Sequence, residues 1–373
     1  MKKIEARRAK AVLVLVGLCA LMALAAGCGS SSSSSSTDPG PEAGGGGGST
    51  GAASAAVAAA EKPIASWNGF GPAIKPPSGK HIVAIECSSV GVGCVQDSNA
   101  VKAAGEKLGW STSVVNGKGD PTVWNSAVQS AVASKADGIV LAAISPAIVK
   151  GAVAEAEKAG IPVIATLSGP PADALVLPDG QTGGTMMANF LTADSGGSAD
   201  VLILNAPEFQ DPAERNEILE QQLEEACGGC SQEVATFSFG TMAEKLSSQV
   251  SSALQADPNI NYVVAPFDAA EPFVLQGIAA AGRTEVKLGT FEGDPKAMEG
   301  IGQGSHAADV ATPNEWVGWA AVDDLARLMG SEKVAPITTV PVRLFTAKNA
   351  AEAAGWKGDL DFEGEYLKLW GKG

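Results

Sequence analysis

Short β-branched runs alternate along this chain with longer stretches whose apolar residues recur three and four apart. The first spacing suits buried strands and the second amphipathic helices. Strand His81–Glu86 is followed by a helix from about Gln96 to Leu108, with Val101, Ala104 and Leu108 on one face. Strand Ser113–Val115 leads to helix Thr122–Ser134, strand Gly138–Ile144 to helix Ile148–Ala159, and Gly160–Ile164 opens a further strand. Strand Ala174–Leu177 precedes a helix running to about Ala193. A second set then begins. Strands Val201–Asn205, Glu233–Phe239, Tyr262–Pro266 and Val286–Phe291 each precede a helical pattern. The helix over Ala213–Ala226 shows the clearest stripe, through Ile218, Leu219, Leu223 and Ala226. Strand Ala307–Ala311, a long helix Glu315–Met329 and an extended segment Pro336–Leu344 follow. Two similar sets of β/α units predict an α/β protein with two doubly wound, parallel-sheet lobes.

The turns between strand and helix carry helix-start chemistry. Asp120-Pro121, Ser145-Pro146, Asp211-Pro212 and Asp294-Pro295 each offer a side-chain acceptor for free N–H groups, then a proline at the first helical position. Asp211 with Glu214, and Thr241 with Glu244, have capping-box spacing. In sheets of this kind ligands bind where such turns gather, at the carboxyl ends of the strands.

The first sixty residues follow a different pattern. Lys2, Lys3, Arg7, Arg8 and Lys10 precede an apolar run from Ala11 to Ala26, which reads as a signal peptide over residues 1–28. Its end, Leu24-Ala-Ala-Gly-Cys28, resembles a bacterial lipobox, with Ala25 where that pattern more often has leucine. On that resemblance Cys28 is lipidated; ordinary cleavage and free secretion is the alternative. Residues 29–78 read as a Ser/Gly-rich tether and lead-in, of which 29–60 would have a root-mean-square reach of ~30 Å. No later stretch has enough uninterrupted apolar residues to span a bilayer.

Formal net charge is -15 for the 373 residues, and the chain after the basic leader is more acidic still. That argues against nucleic acid or anionic lipid as a partner. Six cysteines are present. Beyond Cys19 and Cys28, the close pairs Cys87/Cys94 and Cys227/Cys230 read as local disulfides in an exported protein. The rival reading of Cys227-Gly-Gly-Cys230 is a redox-active pair. The preceding helix end and the carboxylates of Glu224 and Glu225 oppose a reactive thiolate. With only His81 and His306 as imidazoles, no metal site is expected. Ala193-Asp-Ser-Gly-Gly197 echoes a serine-protease nucleophile segment but has no plausible triad partners. There is no GxSxG elbow and no phosphate-binding GxxxxGK[ST] loop, so neither an enzyme nor a cofactor is expected.

Several blocks together resemble type I periplasmic solute-binding proteins of ABC importers, especially the ribose and simple-sugar group. They are Ala136-Asp-Gly-Ile-Val140, Ala159-Gly-Ile-Pro-Val-Ile164, the stretch from Asp257-Pro-Asn-Ile through Phe267-Asp268 to Ala281-Gly282, Gly289-Thr-Phe-Glu-Gly293 and Ala311-Thr-Pro-Asn-Glu-Trp-Val-Gly318. The similarity spans about residues 80–344. It implies two discontinuous lobes, 79–178 plus 312–341 and 179–311 plus 342–373, joined by three strands. It also implies closure on a small polar solute, a monosaccharide or polyol, and delivery by a monomeric carrier to an ABC permease at the outer face of the membrane or in the periplasm. A sensor presenting its closed form to a membrane receptor, or a carrier of a non-sugar solute, is the alternative. A soluble-repressor effector core shares the fold, but would need a DNA-binding segment where this chain has an export signal.

Site residues carry over position by position. Arg215 matches an arginine that holds ligand with its planar fork of donors. Ser145 matches a position that hydrogen-bonds ligand, with helix capping as its other role. Asp179 matches a residue at the first crossing between lobes, or forms a turn. Phe267, Asp268, Phe291 and Glu292 fall at strand ends facing the cleft. Phe239, Thr241 and Asn314 are further candidates, and Trp316 is either a stacking plate or a buried anchor. The departures are as specific. Ser88-Ser-Val-Gly-Val-Gly-Cys94 has no aromatic residue where the sugar group often has paired rings. Ser168 and Ala311 stand where Asp and Gln are common. Trp124 is a candidate to replace a lost plate, although its helix position suits the core better.

Overall fold

The computed structural model describes residues 46–373; the signal peptide and Cys28 lie outside them. A helix, α1 (Gly46–Ala60), comes first. Then follow β1 (His81–Glu86), α2 (Val92–Leu108), β2 (Ser111–Asn116), α3 (Pro121–Ala133), β3 (Gly138–Ala142), α4 (Lys150–Lys158), β4 (Val163–Thr166) and β5 (Ala174–Pro178). The pattern repeats through α5 (Gly180–Asp194), β6 (Asp200–Asn205), α6 (Gln210–Ala226), β7 (Ser231–Thr236), α7 (Met242–Ala256) and β8 (Tyr262–Val264). It continues with α8 (Glu271–Ala281), β9 (Lys287–Glu292), α9 (Pro295–Gln303) and β10 (Ala308–Ala311). Helix α10 (Asn314–Met329), β11 (Ile337–Val340), β12 (Arg343–Thr346) and α11 (Phe362–Leu369) complete the described elements.

Two six-stranded sheets result, in the orders β11-β5-β4-β3-β1-β2 and β12-β10-β9-β8-β6-β7. Each is the core of one α/β lobe. Every pairing is parallel except β10 with β12. The inner strands β3 and β4 are buried along their whole length, as parallel strands covered on both faces must be. The edge strands β2 and β7 carry Ser, Thr, Gln and Glu on a largely exposed face. The chain passes between the sheets after β5, after β10 and between β11 and β12.

Several local expectations need correction. Residues 46–60 are helix rather than tether. Ala53 and Val57 are buried as α1 lies along α5, and the Glu61 carbonyl accepts a 2.7 Å bond from buried Arg343. Composition argued for disorder, but docking supplies the apolar contact that the segment cannot make alone. The lead-in is also fixed. Trp67 donates to the Thr339 carbonyl at 3.0 Å, and Phe70 stacks on Trp316 at 5.8 Å. Helix α11, expected with the second lobe, belongs to the core of the first. Phe362 stacks on Trp316 at 5.3 Å and Trp370 on Trp319 at 5.4 Å.

The caps divide in the same way. Asp120 accepts from the Thr122 N–H at 2.7 Å, as expected. Asp179 caps α5 through the Thr182 N–H at 3.0 Å. Ser145 does not cap α4, which starts five residues later behind Val149. Asp211 lies inside α6 rather than before it, and neither Thr241 nor Asp294 makes a side-chain cap bond. Both disulfides are formed, Cys87–Cys94 and Cys227–Cys230, with Cα atoms 5.9 and 5.3 Å apart.

Candidate functional site

The carboxyl ends of both sets of strands face each other across a narrow seam, and the loops that follow them line it. The enclosed space is about 40 Å³, room for about three waters. The walls touch. A Cβ placed on Gly169 would overlap Gln210 of the opposite lobe, and one on Gly119 would stand 3.7 Å from the Phe239 ring. Two larger hollows, of about 810 and 880 Å³, are surface grooves beside residues that precede strands, such as Val286 and Ala307 in one and Asp137 and Pro162 in the other. They sit at the amino ends, away from where doubly wound sheets bind ligand.

Backbone strain collects at the seam. Six non-glycine residues among those described have φ in the left-handed region, and three of them, Ala143 (53°), Leu167 (51°) and Glu292 (106°), line it. Such conformations cost free energy and persist where surrounding structure enforces them, commonly at binding sites. At Glu292 the result is a carboxylate turned into the cavity at the end of β9. A Cβ on Gly93, in the first turn of α2, would sit 3.5 Å from Glu292 Oε2 and 3.3 Å from Asn314 Nδ2. Both polar groups are thus brought against one glycine backbone, where a Cβ would be tight against Asn314 and in ordinary contact with Glu292.

Arg215 is set from three sides. It lies on α6 four residues after Asp211, with Nη1 to Oδ2 at 3.8 Å. Its guanidinium covers the Phe291 ring at 4.0 Å, and Nη2 donates to the Pro266 carbonyl. Its Nε has no partner, and the side chain is only 4% exposed. Asn314 donates through Nδ2 to Gln96 Oε1 at 2.9 Å and leaves Oδ1 unpaired and buried. The seam therefore holds an unused donor, an unused amide acceptor and the Glu292 carboxylate.

Behind these groups lies a buried acidic layer. Asp268 accepts from the Asp294 N–H at 2.7 Å, and Asp309 accepts from Thr290 Oγ1 at 3.0 Å. Burial pushes Asp211 and Asp309 up to about 6 and Asp294 to about 7. Asp268 is raised well above the ordinary range by burial and by the charges of Asp309 and Asp294. Glu292, facing enclosed space rather than bulk water, is raised by burial and by Asp294. Burial lowers Arg215, while Asp211, Glu292, Asp309 and Asp268 favour its charge. One guanidinium thus serves several carboxyls, some of which hold a proton at neutral pH.

Of the residues read from the sequence, Arg215, Phe239, Phe267, Glu292 and Asn314 come together at the seam. Asp268 and Phe291 stand one layer behind. Ser145, Asp179 and Thr241 do not line the cavity, and Asp179 is occupied as a cap. Trp316 is fully buried among Trp67, Phe70 and Phe362, an anchor of the first core and not a plate for ligand. Trp124 is likewise buried, donating to the Cys87 carbonyl at 2.9 Å. The Cys87–Cys94 loop, which stands in place of the sugar group's aromatic wall, lines the seam, and Asp211, Phe209 and Thr312 line it without having been singled out as ligand contacts. Of those three, only Asp211 carried a signal, its i,i+4 spacing to Arg215 on one helix.

Residues 90–333 match the periplasmic binding protein domain family. The ribose import binding protein RbsB of Escherichia coli (strain K12) is 24% identical over 252 residues, covering 64% of this chain and 81% of that protein. Among solved structures, an ABC transporter solute-binding protein from Agrobacterium vitis with bound allitol has a TM-score of 0.67 at 23% identity, covering 74% of this chain and 97% of that one. One from Mycobacterium smegmatis with bound glycerol reaches 0.67 at 20% identity, covering 75% and 98%. A 5-methylthioribose transporter solute-binding protein from Thermotoga lettingae reaches 0.67 at 19% identity, covering 80% and 95%.

Proposed function

The chain belongs to the periplasmic binding protein domain family, and from that premise we propose that it captures a small polyhydroxylated solute, a monosaccharide or polyol, for an ABC importer. The observation that carries this reading is a pair of buried, unpartnered polar atoms at one enclosed seam, Arg215 Nε and Asn314 Oδ1, with the Glu292 carboxyl group lining the same cavity. Donors and acceptors held without partners suit a ligand whose hydroxyls both donate and accept. The relatives support the class, since one is a ribose import binding protein and others hold allitol or glycerol.

The seam is too small for a sugar as it stands, so uptake requires the lobes to part. The three crossings, near residues 178, 311 and 341, would act as the hinge. Ligand touching both lobes favours the closed state and shifts the population towards it. The closed face would be what a permease recognises. Lipidation of Cys28 would hold this monomeric carrier at the outer face of the cytoplasmic membrane.

A thermal-shift screen of sugars, polyols, amino acids and nucleosides tests the class. A sugar or polyol should raise the midpoint in proportion to the logarithm of its concentration above Kd. Stabilisation by amino acids alone would refute the assignment.

A further inference from the structure

Among the described residues the chain also passes between the lobes twice outside the sheets. Residues 61–78 lead from α1, docked on α5 of the second lobe, to β1 of the first. Residues 347–361 lead from β12, past Trp356 on the Phe345 ring, to α11 in the first core. Both passes run beside the third crossing and meet at Arg343, the first residue of β12. Arg343 is 2% exposed. Its Nε and Nη2 donate to the Glu61 carbonyl at 3.1 and 2.7 Å, and its Nη1 to Asp359 at 2.9 Å. Asp359 accepts in turn from the Ile64 N–H at 2.9 Å, so the two passes are tied to each other as well as to β12.

Beyond this tie each pass enters the first lobe at once. Trp67, three residues after Ile64, donates to the Thr339 carbonyl of β11 and meets the Trp316 ring at 5.0 Å. Phe362, three residues after Asp359, stacks on the same Trp316. Three residues of extended chain span at most ~11 Å, so neither pass has much length to give. A hinge works by letting a few residues absorb changes in φ and ψ. Here Thr339 and Arg343, on either side of the third crossing, are bridged by one short strap, and Val340 and Val342 between them are buried. We propose that the tie at Arg343 limits how far the lobes part and holds the unliganded chain near its closed arrangement. The restraint rests on the parting of the lobes proposed above, and sets its range.

Small-angle X-ray scattering of unliganded residues 29–373 tests the restraint through two insertions, four glycines between Ala65 and Ser66 and four between Asp359 and Leu360. Each adds up to ~14 Å of chain between the tie and the first lobe and changes no side chain. Each should enlarge the radius of gyration, and both together more than either alone, with the amide-exchange protection of α1 and α11 kept. Whichever of D-ribose and allitol binds at about 10 mM should bind about threefold or more weakly to the double insertion, because less of that chain is closed beforehand. Unchanged radii in all three variants overturn the restraint and leave the carrier reading intact. A radius that grows only where α1 or α11 loses its protection overturns it too, since that reports a loosened end and not a wider parting. So does a double insertion that binds as tightly as the natural chain. Binding of neither polyol removes the polyol reading alone, because the radii are read without ligand.

Discussion

At the scale of single residues, the site is a contest between burial and charge. Glu292 keeps a φ of 106° that turns its carboxylate into the seam. Glu292→Ala should leave a buried ligand hydroxyl without its partner and weaken binding by about 1–3 kcal/mol, the cost of an unsatisfied buried polar group. A calorimetric Kd unchanged in the variant would remove Glu292 from the site. The buried acids also set a pH dependence. Burial lifts Asp97, Asp294 and Asp324 from 3.8 to about 7, and Asp211 and Asp309 to about 6. The folded chain thus keeps protons that the unfolded chain sheds near pH 4. That stabilisation is complete below the unfolded value and is lost as pH rises through the folded ones. His306, held down to about 4 by burial, works the other way between 4 and 6.5 and drops out above that. From about pH 6.5 to 8 only the acids act, so the unliganded melting midpoint should fall. Asp97→Asn, whose amide oxygen can still accept from Thr166, should flatten that fall. A midpoint that rises across the same interval contradicts the assignment.

At the scale of elements, what was legible depended on how local the cause was. Asp120 caps its helix because the acceptor and the N–H lie two residues apart. Alternation and helical spacing found the strands and helices of both lobes for the same reason. Ser145-Pro146 and Asp211-Pro212 share that local grammar, yet one helix starts later and the other earlier, where packing decides the boundary. The Trp316 ring could not be placed from its neighbours in sequence. Its partners Phe70 and Phe362 come from the lead-in and from α11, the first far away along the chain. Helix α1 was hidden likewise, since Gly- and Ala-rich residues gain order only from docking on α5. Glu292 was readable because a motif carried it and Arg215 because its position matches a family arginine, whereas Phe209 sits in a loop with no periodicity. Trp316→Ala should cost about 3–5 kcal/mol in urea unfolding, as for other large core truncations. Ligand affinity well below the midpoint should be unaltered; a large affinity loss with intact stability would return Trp316 to the site.

At the scale of the whole molecule, two sheets of matching order face one another and are joined by three crossings. The 40 Å³ seam describes a nearly closed arrangement, too tight to admit a sugar without motion. The chain's function then depends on an equilibrium between parted and closed lobes, which a ligand touching both can shift only through its preference for the closed one. Small-angle X-ray scattering, with and without a saturating sugar or polyol identified by thermal shift, tests this directly. The account predicts a smaller radius of gyration with ligand present. An unchanged or larger radius at saturation would contradict it.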